Sequence, residues 1–252
     1  MPNLKIIPIK VGTFFQYRGE LTGEPRRVEK EAVPFIMFYI DGAARKVLVD
    51  TGAGDPNSAS QIRFHSPYVR LPEEEPATAL KLATGLDPGD IDIVILTHLH
   101  WDHCCNNHLF PQAEFYVQRS ELYAAIDPVP RFRNTYESFS AGTVPPWAKQ
   151  ATRWKIVDGD ADVIDGIRLI HIPGHSKGLQ GVLVETRKGL YFIASDAVPT
   201  YENFNTGSWI PSTTCVDLES YYASFAKIEK LNATIIPGHD SAVLNCRAYP
   251  ED

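Results

Sequence analysis

The stretch "ILTHLHWDHCCNNH" (residues 95–108) gathers four of the chain's eight histidines, an aspartate and two cysteines at the end of the apolar run "DIVIL" (92–96). A short Val/Ile-rich run reads as a buried β-strand. The polar cluster therefore emerges at a strand's C-terminal edge. On extended backbone, residues i and i+2 point to the same side, so His98 and His100 can grip one cation. Asp102 and His103, further round the turn, can face a second. Imidazole nitrogen and carboxylate oxygen are donors that zinc-type metals accept, and a catalytic site keeps one position for water.

One segment cannot complete two such shells, so partners must come from elsewhere. Later apolar runs end in "HIPGHS" with His175, "FIASDAV" with Asp196, and "IIPGHD" with His239. Each lies in a turn-rich context beyond an expected strand. His65, His108 and His171 lack this setting and are expected to be ordinary surface or packing residues.

Strands are expected at 34–40, 46–50, 92–96, 113–117, 167–172, 180–185, 190–194 and 233–237, all rich in Val, Ile, Phe and Tyr. "DGAA" and "TRKG" read as hairpin connections. The clearest helix is "DLESYYASFAKIEKL" (217–231), with Leu218, Tyr221, Tyr222, Phe225, Ile228 and Leu231 near one face and Asp217 as N-cap. Two more are expected at 77–84 and 120–125. The segments 55–75 and 127–147 carry no clear period and are expected to be long pocket loops. The order of elements suggests two β-rich halves with helices behind each, packed as a single domain over residues 1–252.

Bulk properties narrow the function. The 252 residues are 44% hydrophobic and 22% charged, as in soluble globular proteins. A net charge of −7 argues against a nucleic-acid partner. No apolar run is long enough to span a bilayer. "MPNLKIIPIKVGTFF" lacks the marks of a signal peptide, so a cytoplasmic location is expected. Cys104, Cys105, Cys215 and Cys246 are expected as reduced thiols, the first pair packing beneath the cluster.

"THLHWDH" (97–103), "PGHS" (173–176), "SDA" (195–197), "PGHD" (237–240) and the earlier "VLVDTG" (47–52) resemble the metallo-β-lactamase superfamily, most specifically its N-acyl homoserine lactone lactonase, or quorum-quenching, branch. The resemblance runs from about Lys46 to Asp240. It implies an α/β fold of the αββα type, two mixed sheets covered by helices, with metals at one edge. It also implies two divalent ions, zinc first, with iron, cobalt or manganese suited to the same donors. One ion would be held by His98, His100 and His175, the other by Asp102, His103 and His239, with Asp196 bridging. Asp50 would orient a metal-bound histidine from behind. Paired cations that lower the pKa of a shared water suit hydrolysis of a lactone without a serine or cysteine nucleophile, and Asp102 would carry the proton to the leaving oxygen.

Two departures from that branch stand out. Pro199 occupies the position, three residues after the bridging aspartate, where known lactonases carry a tyrosine; Tyr201 in "YENF" is the expected substitute. Cys104 and Cys105 replace small residues. An acyl chain would call for an apolar trough, with Phe14, Phe15, Phe64, Tyr68, Phe132, Phe139, Trp147 and Phe204 as candidates. Arg63, Arg70, Arg131 and Arg133 would instead select an anionic substrate. The alternatives are a glyoxalase II-like thioester hydrolase, another small-ester or amide hydrolase, a single-iron persulfide dioxygenase that leaves Asp102 and His239 spare, and a non-catalytic metal module. The expected partner is a small-molecule lactone, with a homodimer left open.

Overall fold

Strands with both faces buried alternate between two cores, and this period of two lays out the molecule. A computed structural model describes residues 3–24, 26–58, 61–62, 65, 67–205 and 209–251, with backbone alone at 149–152 and 205. In chain order the elements are β1 (Lys5–Tyr17), α1 (Arg18–Thr22), β2 (Lys30–Asp41), β3 (Val47–Val49), β4 (Tyr68–Val69), α2 (Pro76–Thr84), β5 (Ile93–Ile95), α3 (Trp101–Cys104), β6 (Glu114–Gln118) and α4 (Arg119–Ile126). Beyond these come β7 (Trp154–Val157), β8 (Ala161–Ile164), β9 (Ile167–His171), β10 (Gln180–Thr186), β11 (Gly189–Ser195), α5 (Glu202–Asn205), α6 (Leu218–Lys230) and β12 (Thr234–Pro237).

The strands form two mixed sheets, ordered β4-β1-β2-β3-β5-β6-β7 and β12-β11-β10-β9-β8. In β2, Ile36, Phe38 and Ile40 face the second sheet, while Met37 and Tyr39 face the opposite way. Val47 and Val49 of β3, Ile93 and Ile95 of β5, and Val182, Val184 and Ile193 of β10 and β11 complete the layer between the sheets. Leu48 and Val94 join Leu80, Leu122 and Ala125 of α2 and α4 on one outer face. Leu183 and Phe192 pack against Tyr221, Phe225 and Ile228 of α6 on the other. The layers are therefore helix, sheet, sheet, helix, as the sequence led one to expect.

All eight expected strands and all three expected helices are present, with ends within a few residues of the expected ones. Asp217 caps α6 by accepting from the Ser220 amide. "DGAA" joins antiparallel β2 and β3, and "TRKG" joins antiparallel β10 and β11. The longest strand not anticipated is β1, thirteen residues interrupted in sequence by Pro8 and Gly12. Pro8 is tolerated because β4 pairs β1 only at Thr13 and Phe14, leaving one edge open at Pro8. The register shifts between Lys10 and Gly12, as a β-bulge does. β4, β7 and β8 were also unanticipated. The segment 127–147 is held by buried Phe132, Tyr136 and Trp147, with short 3-10 turns in place of regular structure.

Candidate metal centre

The parallel strands β3 and β5 end side by side, and the turns beyond their C-terminal ends carry the first residues of the centre. The chain leaves β5 through Thr97, His98 and Leu99, and His100 opens α3 from extended backbone. The loop after β9 brings His175, the turn after β11 brings Asp196, and the turn after β12 brings His239. All seven candidate ligands therefore come together at one edge of the two sheets. His98, His100 and His175 offer nitrogens within 4.8 Å of one another, and so do the ligand atoms of His98, His103 and Asp196 and those of Asp102, His103 and His239.

The Asp196 carboxylate stands between the two groups. Its Oδ2 is 3.3 Å from His175 Nε2 and 4.0 Å from His98 Nε2. Its Oδ1 is 3.0 Å from His239 Nε2 and 3.2 Å from His103 Nε2. Asp102 Oδ2 lies 3.6 Å from His103 Nε2 and 3.9 Å from His239 Nε2.

Acceptors hold the outward nitrogens of three of the five histidines, while His100 Nε2 and His175 Nδ1 are buried without a hydrogen-bond partner. His103 Nδ1 meets Asp50 Oδ2 at 2.8 Å, His239 Nδ1 meets the Pro34 carbonyl at 3.0 Å, and His98 Nδ1 meets Thr97 Oγ1 at 3.1 Å. Each contact favours the tautomer with its proton outward and a lone pair inward. Inside, His100 Nδ1 is only 3.0 Å from His98 Nε2 and 3.1 Å from His175 Nε2. His103 Nε2 is buried without a well-aligned hydrogen-bond partner. Lone pairs packed this closely repel unless a cation or a proton lies among them, so the residues present fit divalent metal.

Electrostatics divide the histidines. Burial, reinforced by the neighbouring imidazoles, pushes His98 and His100 well below the ordinary histidine value, and burial also lowers His175. For His103 burial pulls the same way, but Asp102, Asp196 and Asp50 outweigh it and hold the group high. His239 is raised in the same manner, chiefly by Asp196. Burial opposes the Asp196 charge, yet His239, His103 and His175 together keep its carboxyl well below the usual range.

Asp50 anchors the cluster from below. Its Oδ1 accepts the Thr97 amide at 2.8 Å, its Oδ2 accepts the Thr97 hydroxyl at 2.8 Å, and Ser195 Oγ donates to that hydroxyl at 2.9 Å. Asp50 and Ser195 take φ of +60° and +47°, a region costly for most side chains and concentrated at functional sites. Gly174 in "PGHS" cannot carry a side chain, since a Cβ there would lie 2.4 Å from Tyr221 Cα. Tyr221 in turn donates to the Asp196 carbonyl at 2.7 Å.

Above the ligands lies a cavity of about 200 Å³. Phe14, Leu21, Val33, Phe35, Trp101 and Pro199 form its apolar walls, and Gln16, Glu20, Thr135, Ser212 and Thr214 add polar groups. Among the described residues no lysine or arginine lines it. The Arg70 side chain is buried and bonded to the Val11 and Ala53 carbonyls, and Arg131 lies over the Phe132 ring. Neither they nor Arg133 line the cavity, so the expected anion-selecting arginines do not serve it; Arg63 and Phe64 fall outside the described residues. Arg18 and Arg27 both bind Glu202, which ties α1 to α5 beside the cavity.

Tyr201 is placed away from the reaction space. It is not among the cavity-lining residues; its ring packs into the layer between the sheets, where its hydroxyl contacts Tyr249. Its amide donates to Asp240, which turns the residue toward the strand-end side of β12. Of the expected aromatics, Phe14 reaches the cavity and Phe15 lies in the adjoining groove. Tyr68, Phe132 and Trp147 are buried packing residues, Phe204 stacks on Trp209, and Phe139 is exposed. Cys104 is buried, donating weakly to the Leu99 carbonyl, and neither it nor Cys105 joins a ligand group among the described residues. His108 is exposed and His171 contacts the Lys177 carbonyl. His65 is a packing residue: it stacks on Trp101 at 4.1 Å and pairs with Glu137.

Residues Gly174–Gly178, "GHSKG", have the G-x-S-x-G spacing of a serine-hydrolase elbow, against the expectation of hydrolysis without a serine nucleophile. The structure keeps that expectation for a different reason. Ser176 is fully buried, and its hydroxyl donates to Glu121 at 2.7 Å instead of facing an imidazole.

Fold and centre together define a metal-dependent hydrolase. The chain belongs to the metallo-beta-lactamase superfamily, whose family model matches residues 37–239. It is 28% identical over 231 residues to the N-acyl homoserine lactonase AiiA of Bacillus thuringiensis subsp. kurstaki, covering 87% of this chain and 86% of that protein. It is 29% identical over 227 residues to the N-acyl homoserine lactonase AttM of Azorhizobium caulinodans, covering 82% of each. A solved N-acyl homoserine lactone hydrolase with N-hexanoyl-L-homoserine at its catalytic metal centre superimposes with a TM-score of 0.80 at 25% identity, covering 100% of this chain and 99% of that one. Among the described residues no helix is long and apolar enough to cross a membrane.

Proposed function

We propose that the protein is a dinuclear hydrolase that opens the ring of N-acyl homoserine lactones. The observation that carries this is the Asp196 carboxylate, which turns one oxygen to His98 and His175 and the other to His103 and His239. His98, His100 and His175 would hold one divalent ion; Asp102, His103 and His239 would hold the other; Asp196 would face both. Zinc suits these donors, as do iron, cobalt and manganese. Bound there, the ions would supply a deprotonated water near neutral pH and polarise the lactone carbonyl.

The chain's own residues do the remainder. Asp102 lines the cavity and takes the proton that the attacking water loses. As the ring C–O bond breaks, it returns that proton to the departing oxygen, so water and lactone give one hydroxy acid. Phe35 and Trp101 exclude bulk water. The lactone ring fits beneath Phe14 and Val33, and the acyl group extends along the adjoining groove, which shares Phe14, Gln16 and Glu20 with the cavity and adds Phe15, Tyr17, Lys30 and Pro67. Tyr201 takes no part, since its ring lies elsewhere.

An uncharged substrate is favoured by a cavity whose lining, among the described residues, has no lysine or arginine to pair with a remote anionic group, the adjoining groove holding Lys30 with Glu20. A glutathione thioester carries carboxylates remote from the reacting bond, and among the described residues the cavity lining offers them no lysine or arginine while Glu20 stands at its rim, which disfavours the glyoxalase II-like alternative. The test is elemental analysis of purified protein, then side-by-side assay on a homoserine lactone series and a glutathione thioester. Two ions per chain with lactone turnover is the expected result. Lactone turnover that survives loss of both His100 and His103 refutes the proposal.

A further inference from the structure

Behind the centre sits a carboxylate to which none of the sequence motifs points. Glu121, in the first turn of α4, is fully buried. Its Oε1 accepts the Leu99 amide at 3.0 Å and the Tyr136 hydroxyl at 3.0 Å. Its Oε2 accepts the Gly178 amide at 2.8 Å and the Ser176 hydroxyl at 2.7 Å. Each oxygen thus carries one backbone N–H and one hydroxyl. Leu99 lies between His98 and His100, while Ser176 and Gly178 come just after His175. Gly178 is pressed so close to α4 that a Cβ there would lie 2.3 Å from the Glu121 nitrogen. The Tyr136 ring also meets His100 edge-on, with centroids 4.7 Å apart.

We propose that Glu121 is a positioning residue that ties the loop of His98 and His100 to the loop of His175, and so sets the spacing of these three imidazoles. The inference rests on the metallohydrolase assignment above. Burying a carboxylate is costly unless its lone pairs are filled, and here four donors fill them, all from the two ligand-bearing loops and the Tyr136 segment beside them. The other half of the centre is held differently: His103 by Asp50 and His239 by the Pro34 carbonyl. The effect of Glu121 is therefore confined to one ion of the two.

Glutamine is the informative replacement because it keeps the shape and changes the donors. Its amide nitrogen must face either Leu99 N–H or Gly178 N–H, and a backbone amide cannot rotate to accept. Glu121→Gln in the full chain is stripped of metal and titrated with zinc against a chromophoric chelator, then with cobalt(II) while visible absorption is recorded. The expected result is one ion bound as in the wild type and the other weakened about 10–100-fold, the usual effect of removing such an outer partner. Two ions at wild-type affinity overturn the proposal, and so does equal weakening of both, which marks general loosening. Should Glu121→Gln not fold, Ser176→Ala keeps the carboxylate and removes one donor. A smaller weakening of the same single ion is then expected, and no change overturns the proposal. Wild-type protein that binds two ions yet opens no lactone refutes the substrate assignment and leaves this test intact.

Discussion

Asp50→Asn tests how the carboxylate beneath the centre orients His103 and holds the Thr97 amide. Asn accepts the left-handed backbone at this position readily, so the φ of +60° does not confound the change. The carboxylate receives the Thr97 amide on one oxygen and His103 Nδ1 on the other, both at 2.8 Å. An amide cannot serve both. With its NH2 toward His103, the imidazole must accept there and carry its proton on Nε2, which removes the inward lone pair. With its NH2 toward Thr97, two donors face each other and the loop of His98 shifts. Either way an orienting contact is lost, which for such partners costs about 10–100-fold in metal affinity, about 1.4–2.8 kcal/mol. In the second orientation the unsatisfied buried donor adds about 1–3 kcal/mol of lost stability in the metal-free protein. Chelator competition measures the first quantity and denaturant unfolding of the stripped protein the second. An Asp50→Asn protein that binds both ions as tightly as the wild type refutes the argument.

The same geometry leads to three further outcomes. His103 and His239 are held protonated above imidazole's ordinary 6.5 by their carboxylate neighbours, so metal uptake must release protons; affinity should strengthen as pH rises beyond that value and weaken as it falls, and calorimetry in buffers of different ionisation enthalpy that detects no proton release contradicts this. Tyr201→Phe should leave kcat/KM for lactones unchanged while costing about 0.5–1.5 kcal/mol of stability through its lost hydroxyl contact with Tyr249; a large fall in kcat would place the hydroxyl at the reaction. Gly174→Ala forces a methyl to within 2.4 Å of Tyr221 Cα and should cost at least about 1–3 kcal/mol, lowering the melting temperature; an unchanged melting temperature refutes that packing.

Local pattern alone determined much of this protein. The unbroken apolar runs in "PFIMFYI" and "DIVIL" announce strands because β-branched and aromatic residues suit a pleated chain, which presents successive side chains to opposite faces, and here both faces are buried. The spacing in "THLHWDH" announces a metal centre because neighbouring residues on a tight turn can face a common point without help from the rest of the fold. What depends on contacts distant in sequence could not be read. Strand β1 is interrupted by Pro8 and Gly12, and its pairing with β2, and at one end with β4, makes it a strand. Tyr201 stood close enough in sequence to reach the substrate, but Asp240 and Tyr249 turn it away. Glu121 carries no motif, for its four donors come from residues 15 to 57 positions distant. Short-range geometry is written in adjacent residues, whereas the facing of a side chain toward cavity or core is decided only when remote segments compete for the same space.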